Sequence, residues 1–185
     1  MKKILGIMGS PRKNGNTHVL ISKILESAQT EGGAETKLIF LSGLTINECD
    51  GCYSCWKGKK CSKKDDMNDI YPLIINSDVL IFGTPVYWFG PTALMKAFID
   101  RLVYFNCPEN RVKIKGKNAV LVVPFEDDDI ETASPLLQMF EKSLDYLEVN
   151  LIERLIVPGV TKKGEVIEKV EIMNICYELG RKLAI

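Results

Sequence analysis

Lys3-Ile4-Leu5-Gly6-Ile7-Met8-Gly9-Ser10-Pro11-Arg12-Lys13-Asn14-Gly15-Asn16-Thr17 opens on a short apolar run, passes into a loop of small and polar residues, and ends where a helix starts. Lys3 to Met8 is almost continuously apolar, as a strand buried on both faces requires. From Thr17 to about Glu31, the residues Leu20, Ile21, Ile24, Leu25 and Ala28 share one helical face, and Gly32-Gly33 stop the helix. The same alternation continues downstream. Further strands are expected at Lys37 to Leu41, Asp78 to Gly83, Asn118 to Val123 and Leu151 to Val157. Helical spacing places Leu94, Phe98, Leu102 and Phe105 on one face of Thr92 to Phe105. It does the same for Leu136, Leu137, Phe140, Leu144 and Leu147 within Thr132 to Leu147, and an amphipathic helix closes Gly164 to Leu183.

Five apolar strands alternating with helices predict an α/β fold. It is a three-layer, doubly wound, five-stranded parallel sheet of flavodoxin-like order 2-1-3-4-5. In such sheets a ligand crevice lies outside the carboxyl ends of the strands, at the point where strand order reverses. The 185 residues, 46% of them hydrophobic, suit one domain over residues 1–185. The segment from about 44 to 67 shows no periodicity and reads as a functional insert.

Lysine plus arginine and aspartate plus glutamate both number 24, so no net charge points to nucleic acid or to an anionic membrane. Met1-Lys2-Lys3 is basic, but the apolar run from Ile4 to Met8 is too short for a secretory core. No stretch approaches the ~20 apolar residues that cross a bilayer. A cytoplasmic location is expected, and in that reducing compartment the six cysteines point to metal or redox chemistry rather than a disulfide framework.

The loop Gly9 to Thr17 joins the first strand to the first helix at the mouth of the crevice. The helix offers unpaired amides and a partial positive charge there. Asn16 and Thr17 are capping or phosphate-contacting residue types, Ser10 is a hydroxyl in the same loop, and Arg12 can add a charge-assisted bond. A terminal phosphate monoester suits this loop. Neither the nucleoside-triphosphate loop nor the Gly-x-Gly-x-x-Gly dinucleotide fingerprint is present.

This loop resembles the phosphate loop of the NADPH-dependent FMN reductase family. Gly83-Thr84-Pro85-Val86-Tyr87-Trp88-Phe89-Gly90-Pro91 resembles the family's segment along the flavin ring, and Lys96-Ala97-Phe98-Ile99-Asp100-Arg101 its next helix. The resemblance implies FMN as cofactor. Ser10, Arg12, Asn16 and Thr17 would hold its phosphate, and Pro85, Val86, Tyr87, Trp88 and Phe89 would line its ring. It also implies a homodimer or homotetramer with flavin at the interface, and the flavin, rather than a side chain, carries the redox chemistry.

Cys49, Cys52, Cys55 and Cys61 follow the pattern Cys-x2-Cys-x2-Cys-x5-Cys, the spacing of a four-thiolate site for a [4Fe–4S] cluster or zinc. The segment resembles the cysteine motif of the iron–sulfur flavoprotein branch of the family. That implies electrons passing between cluster and FMN, with a ferredoxin-like carrier as partner and a small-molecule acceptor. Family members without a cluster also carry a similar segment followed by Asp-Asp-Met, as in Asp65-Asp66-Met67, so free or reversibly oxidised thiols stand beside cluster and zinc. The corresponding alternatives are a NAD(P)H-dependent FMN or quinone reductase without a cluster, and a zinc-stabilised or flavin-sensing module. Lys57, Lys59, Lys60, Lys63 and Lys64 would offset an anionic cluster, dock an acidic carrier, or face solvent. Cys107 and Cys176 read as packing residues. His18, the only histidine, lacks a nucleophile partner, and Asp127 to Asp129 read as a helix cap or solvated face.

Overall fold

The computed structural model describes residues 1–185. Five parallel strands form one sheet: β1 (Lys3–Met8), β2 (Glu35–Phe40), β3 (Val79–Gly83), β4 (Asn118–Pro124) and β5 (Asn150–Val157). Their order is β2-β1-β3-β4-β5, as the sequence predicts. Between and after them run α1 (Asn16–Gly32), α2 (Met67–Asn76), α3 (Ala93–Arg101), α4 (Pro108–Arg111), α5 (Ser134–Tyr146) and α6 (Val170–Leu183).

The period of two in a strand sorts alternate side chains into two cores. Leu5, Ile7, Leu80, Phe82, Leu121 and Val123 face α2, α3 and α5, where they meet Ile70, Phe98 and Phe140. Ile4, Met8, Val79, Ile81, Val120 and Val122 face α1 and α6, where they meet Ile21, Ile24 and Leu179. β1, β3 and β4 are buried on both faces, which is why their sequences are unbroken apolar runs.

Several boundaries differ from the sequence expectation. β2 begins two residues earlier than Lys37, because Glu35 and Thr36 pair with Lys3 and Ile4. The helix expected to reach Phe105 ends at Arg101 and tightens into a 3-10 turn over Leu102–Asn106. The helix expected from Gly164 opens with a 3-10 turn, Glu165–Glu168, and α6 proper starts at Val170. α2 was not expected. It contains Pro72, a helix-disfavouring residue, yet Met67, Ile70, Tyr71 and Ile74 form a buried stripe at helical spacing.

Candidate functional site

The loops after β1 and β3 are tied together at the carboxyl edge of the sheet. Gly9 N donates to Gly83 O at 2.8 Å, and the Thr92 hydroxyl donates to Gly9 O at 2.6 Å. Thr92 N donates in turn to the Thr84 hydroxyl at 3.1 Å. A side chain at Gly9 would strike Met95 Cε at 2.8 Å, so glycine is what lets the loop lie against α3.

No side chain caps α1, whose N-cap is Gly15, so the first-turn N–H groups stay open. Thr17 is 2% exposed. Its Cγ2 would lie only 2.8 Å from a Cβ at Gly83, so the methyl faces β3 and the hydroxyl, which has no protein hydrogen-bond partner, is turned away from the sheet. Ser10 is also buried, and its Oγ accepts from Arg12 N at 3.2 Å. Arg12 is exposed and makes no ion pair.

These residues line a cavity of about 140 Å³, with Pro85, Val86 and Tyr87 from the loop after β3. Phe125 and Glu126 from the loop after β4, and Thr161 and Lys163 from the segment after β5, complete the wall. Asn16 also lines the cavity, but its side-chain polar atoms are committed. Nδ2 donates to Lys162 O at 3.0 Å, and Oδ1 accepts from Val166 N at 3.2 Å. His18 is likewise structural: its Nδ1 accepts from Asn14 N at 3.0 Å, fastening the left-handed Asn14 at φ 61°. Partial burial, then nearby Lys13, lowers the His18 pKa.

Tyr87, Trp88, Phe89 and Gly90 make a tight turn closed by Tyr87 N to Gly90 O at 2.8 Å and Gly90 N to Tyr87 O at 3.0 Å. Trp88 and Phe89 have φ of 49° and 62°. Two consecutive left-handed residues suit Asn-Gly; held by aromatic residues they cost on the order of 1–3 kcal/mol each. The turn lifts the rings out of the core, leaving Trp88 97% exposed. Trp88 and Phe89 border a hollow of about 430 Å³ that shares Val86, Phe125 and Glu126 with the first cavity. A polar end and an aromatic end therefore adjoin along the carboxyl edge. Asp127 and Asp129 beside them are occupied as caps: Asp127 Oδ2 accepts from the Thr132 hydroxyl, and Asp129 Oδ1 from Glu131 N.

Cys49, Cys52, Cys55 and Cys61 line one separate cavity of about 70 Å³ with Tyr71, Arg101 and Tyr104, and none of them is in a disulfide. Behind it lies a buried ion pair. The side chains of Arg101 and Asp65 are 1% and 0% exposed. Arg101 donates to both carboxylate oxygens of Asp65, to Asn47 O at 2.7 Å and to Cys61 Sγ at 3.2 Å. Burial alone would raise the Asp65 pKa; bonds from Arg101 and from Asn47 N outweigh it and hold the carboxyl below its usual range. The Ser54 and Ser62 hydroxyls beside Cys52 lower its thiol pKa, whereas burial raises that of Cys55.

The donor set suits a thiolate-held group in kind, and the Arg101 N–H on Cys61 suits a charged sulfur. The sulfurs are not preassembled: no three cysteine, histidine or carboxylate side chains converge on one point. Gly51, Tyr53 and Gly58 all have positive φ and give the loop its tight bends. Of the five lysines, Lys63 is held by Asp50 at 2.9 Å, while Lys57, Lys59, Lys60 and Lys64 are exposed. Cys107 and Cys176 are fully buried, and burial pushes the Cys176 thiol up to about 12. No helix is long and apolar enough to cross a membrane.

The sheet order and the paired loops at its carboxyl edge define an α/β protein of flavodoxin-like type. The chain belongs to the NADPH-dependent FMN reductase family, whose model matches residues 2–153. A relative named "Iron-sulfur flavoprotein" from Archaeoglobus fulgidus is 38% identical over 126 residues, 66% of this chain but 54% of the relative. Against that relative the chain therefore spans about half the length. A second protein of that name from the same organism is 31% identical over 88% of this chain and 79% of its own. A solved structure described as "NAD(P)H:quinone oxidoreductase from Methanothermobacter marburgensis" superposes with a TM-score of 0.77 over 98% of both chains; at 16% identity the likeness is one of fold.

Sequence reasoning passed over Thr161 and Lys163. The signal was available: Pro158-Gly159-Val160-Thr161-Lys162-Lys163-Gly164 follows a strand and combines glycine, hydroxyl and cations, as Gly9 to Thr17 does.

Proposed function

We propose that this chain is a flavin-dependent oxidoreductase of the iron–sulfur flavoprotein type, holding FMN at the carboxyl edge of the sheet. The observation that carries the reading is the cavity at the uncapped start of α1, lined by the hydroxyl residues Ser10 and Thr17 and by Arg12. Ser10, Arg12 and Thr17 hold the phosphate, with Asn16 contributing through its backbone. Pro85, Val86, Tyr87, Trp88 and Phe89 line the ring. Bound FMN supplies the electron chemistry, while the chain binds, orients and shields it.

Cys49, Cys52, Cys55 and Cys61 hold a [4Fe–4S] cluster in this reading. Their spacing, their shared cavity and the names of the relatives support it. The two cavities share no lining residue, and the turn at Trp88 stands in solvent, so the functional unit is a homodimer or homotetramer that brings the centres together. The exposed lysines around Cys61 suit an acidic, ferredoxin-like carrier. Undisulfided cysteines agree with a cytoplasmic setting. A second reading is a NAD(P)H-dependent reductase without a cluster; the sulfurs' lack of convergence favours it.

Anaerobic purification, with absorption, iron and sulfide analysis, tests both readings. Flavin bands with about four iron per chain support the first reading, since a cubane needs that number. Flavin without iron and with NAD(P)H oxidation gives the second, and absence of flavin binding removes both.

A further inference from the structure

The segment after β5 lies beyond the residues matched by the family model, yet it forms part of the cavity wall. Only three ionised side chains line that cavity: Arg12, Glu126 and Lys163. Arg12 and Glu126 alone would leave it neutral, a poor site for a phosphate carrying about −1.5 to −2 at pH 7. Lys163 turns the balance positive. Its ammonium has no carboxylate partner and no hydrogen bond within the protein, although neighbouring Lys162 is fastened through its backbone N to Glu165 at 2.6 Å.

The segment is also held against the loop after β1. Asn16 binds Lys162 O and Val166 N, bracketing Lys163 on both sides. Gly164, with φ 75°, comes so close that a Cβ there would meet Asn14 O at 3.0 Å. An L side chain at that position would push the two loops apart.

We infer that residues 160–166 are the second wall of the phosphate site, that Lys163 is its second cation, and that Asn16 acts as the clasp that positions it. This rests on the FMN reading above and deepens it. The site recognises a flavin by its terminal phosphate dianion, and half of that recognition comes from the far end of the chain. Asn16 is a positioning residue here, because its side-chain atoms are spent on the segment.

The test is fluorescence titration of flavin-free protein with FMN and with riboflavin, in the wild type, Lys163→Met, Asn16→Ala and the double variant. The wild type binds FMN more tightly than riboflavin. Lys163→Met weakens FMN by about ten-fold, the size of one charge-assisted bond, and leaves riboflavin unchanged. Asn16→Ala weakens FMN in the same selective way, and adds little in the Lys163→Met background. FMN affinity within two-fold of wild type in Lys163→Met overturns the inference, as does an equal loss for riboflavin, and full additivity overturns the clasp. A wild type that binds both flavins alike defeats the phosphate reading itself, an outcome distinct from these.

Discussion

Nη2 of Arg101, in the last turn of α3, donates to Sγ of Cys61 at 3.2 Å, while the same guanidinium grips both oxygens of Asp65. The cysteine loop thus hangs on a buried charge pair beside its own cavity. Removing one member of such a pair strands the other.

Asp65→Asn is therefore expected to cost about 3–5 kcal/mol of unfolding free energy at pH 7, read by urea denaturation of the flavin-free protein. The sign with pH follows from the lowered Asp65 pKa. A carboxyl that binds protons less readily folded than unfolded adds stability above the ordinary carboxylate range, and that contribution is lost as pH falls through the folded value. The wild-type advantage over Asp65→Asn should be full at neutral pH and shrink below about pH 4. An advantage that stays constant down to pH 3 would contradict this account.

The turn at Trp88-Phe89 makes a prediction of opposite sign for stability and binding. Replacing both residues with Asn-Gly supplies the types that tolerate positive φ, so the flavin-free protein should gain about 1 kcal/mol or more, seen as a higher Tm. The same change strips the rings from the hollow, and FMN and riboflavin should both bind more weakly. If the variant melts at or below the wild-type temperature, the left-handed backbone stores no strain.

The six thiols should divide by reactivity. In reduced, metal-free protein, Cys52, exposed and lowered by Ser54 and Ser62, is alkylated first. Cys55, raised by burial, follows more slowly. Cys107 and Cys176 stay protected until the protein unfolds, since both are buried and the Cys176 thiol sits near 12. Peptide mass mapping over an alkylation time course at pH 8 reads this order. Labelling of Cys176 before Cys55 would show that the helix α6 opens readily.

What the sequence revealed follows from where side chains go. β1, β3 and β4 are buried on both faces, and nothing but apolar residues serves there, so their runs are unmistakable. Gly83 and Gly9 mark the crevice because a Cβ there would strike Ile21 and Thr17 of α1 or Met95 of α3. α2 was concealed by Pro72 and by the proximity of the cysteine loop, although the Ile70, Tyr71 and Ile74 spacing carried its signal. The Arg101–Asp65 pair was invisible for another reason: the residues are 36 positions apart, and no local pattern announces a charge that will be buried. Asn16 shows the same limit, since it has a phosphate-contact residue type in a phosphate-type loop, and its partners are 146 and 150 residues away.

The two hydrogen bonds of Asn16 also set an order of events during synthesis. All five strands and the first cation of the cavity, Arg12, precede the segment 160–166 in the chain. The wall that faces them does not exist until Val166 has left the ribosome and the last segment has folded back. A nascent chain therefore presents the loop after β1 well before the wall that closes the cavity. The cavity is complete only once residues 160–166 have folded against that loop, so its two walls report on a contact between distant parts of the chain.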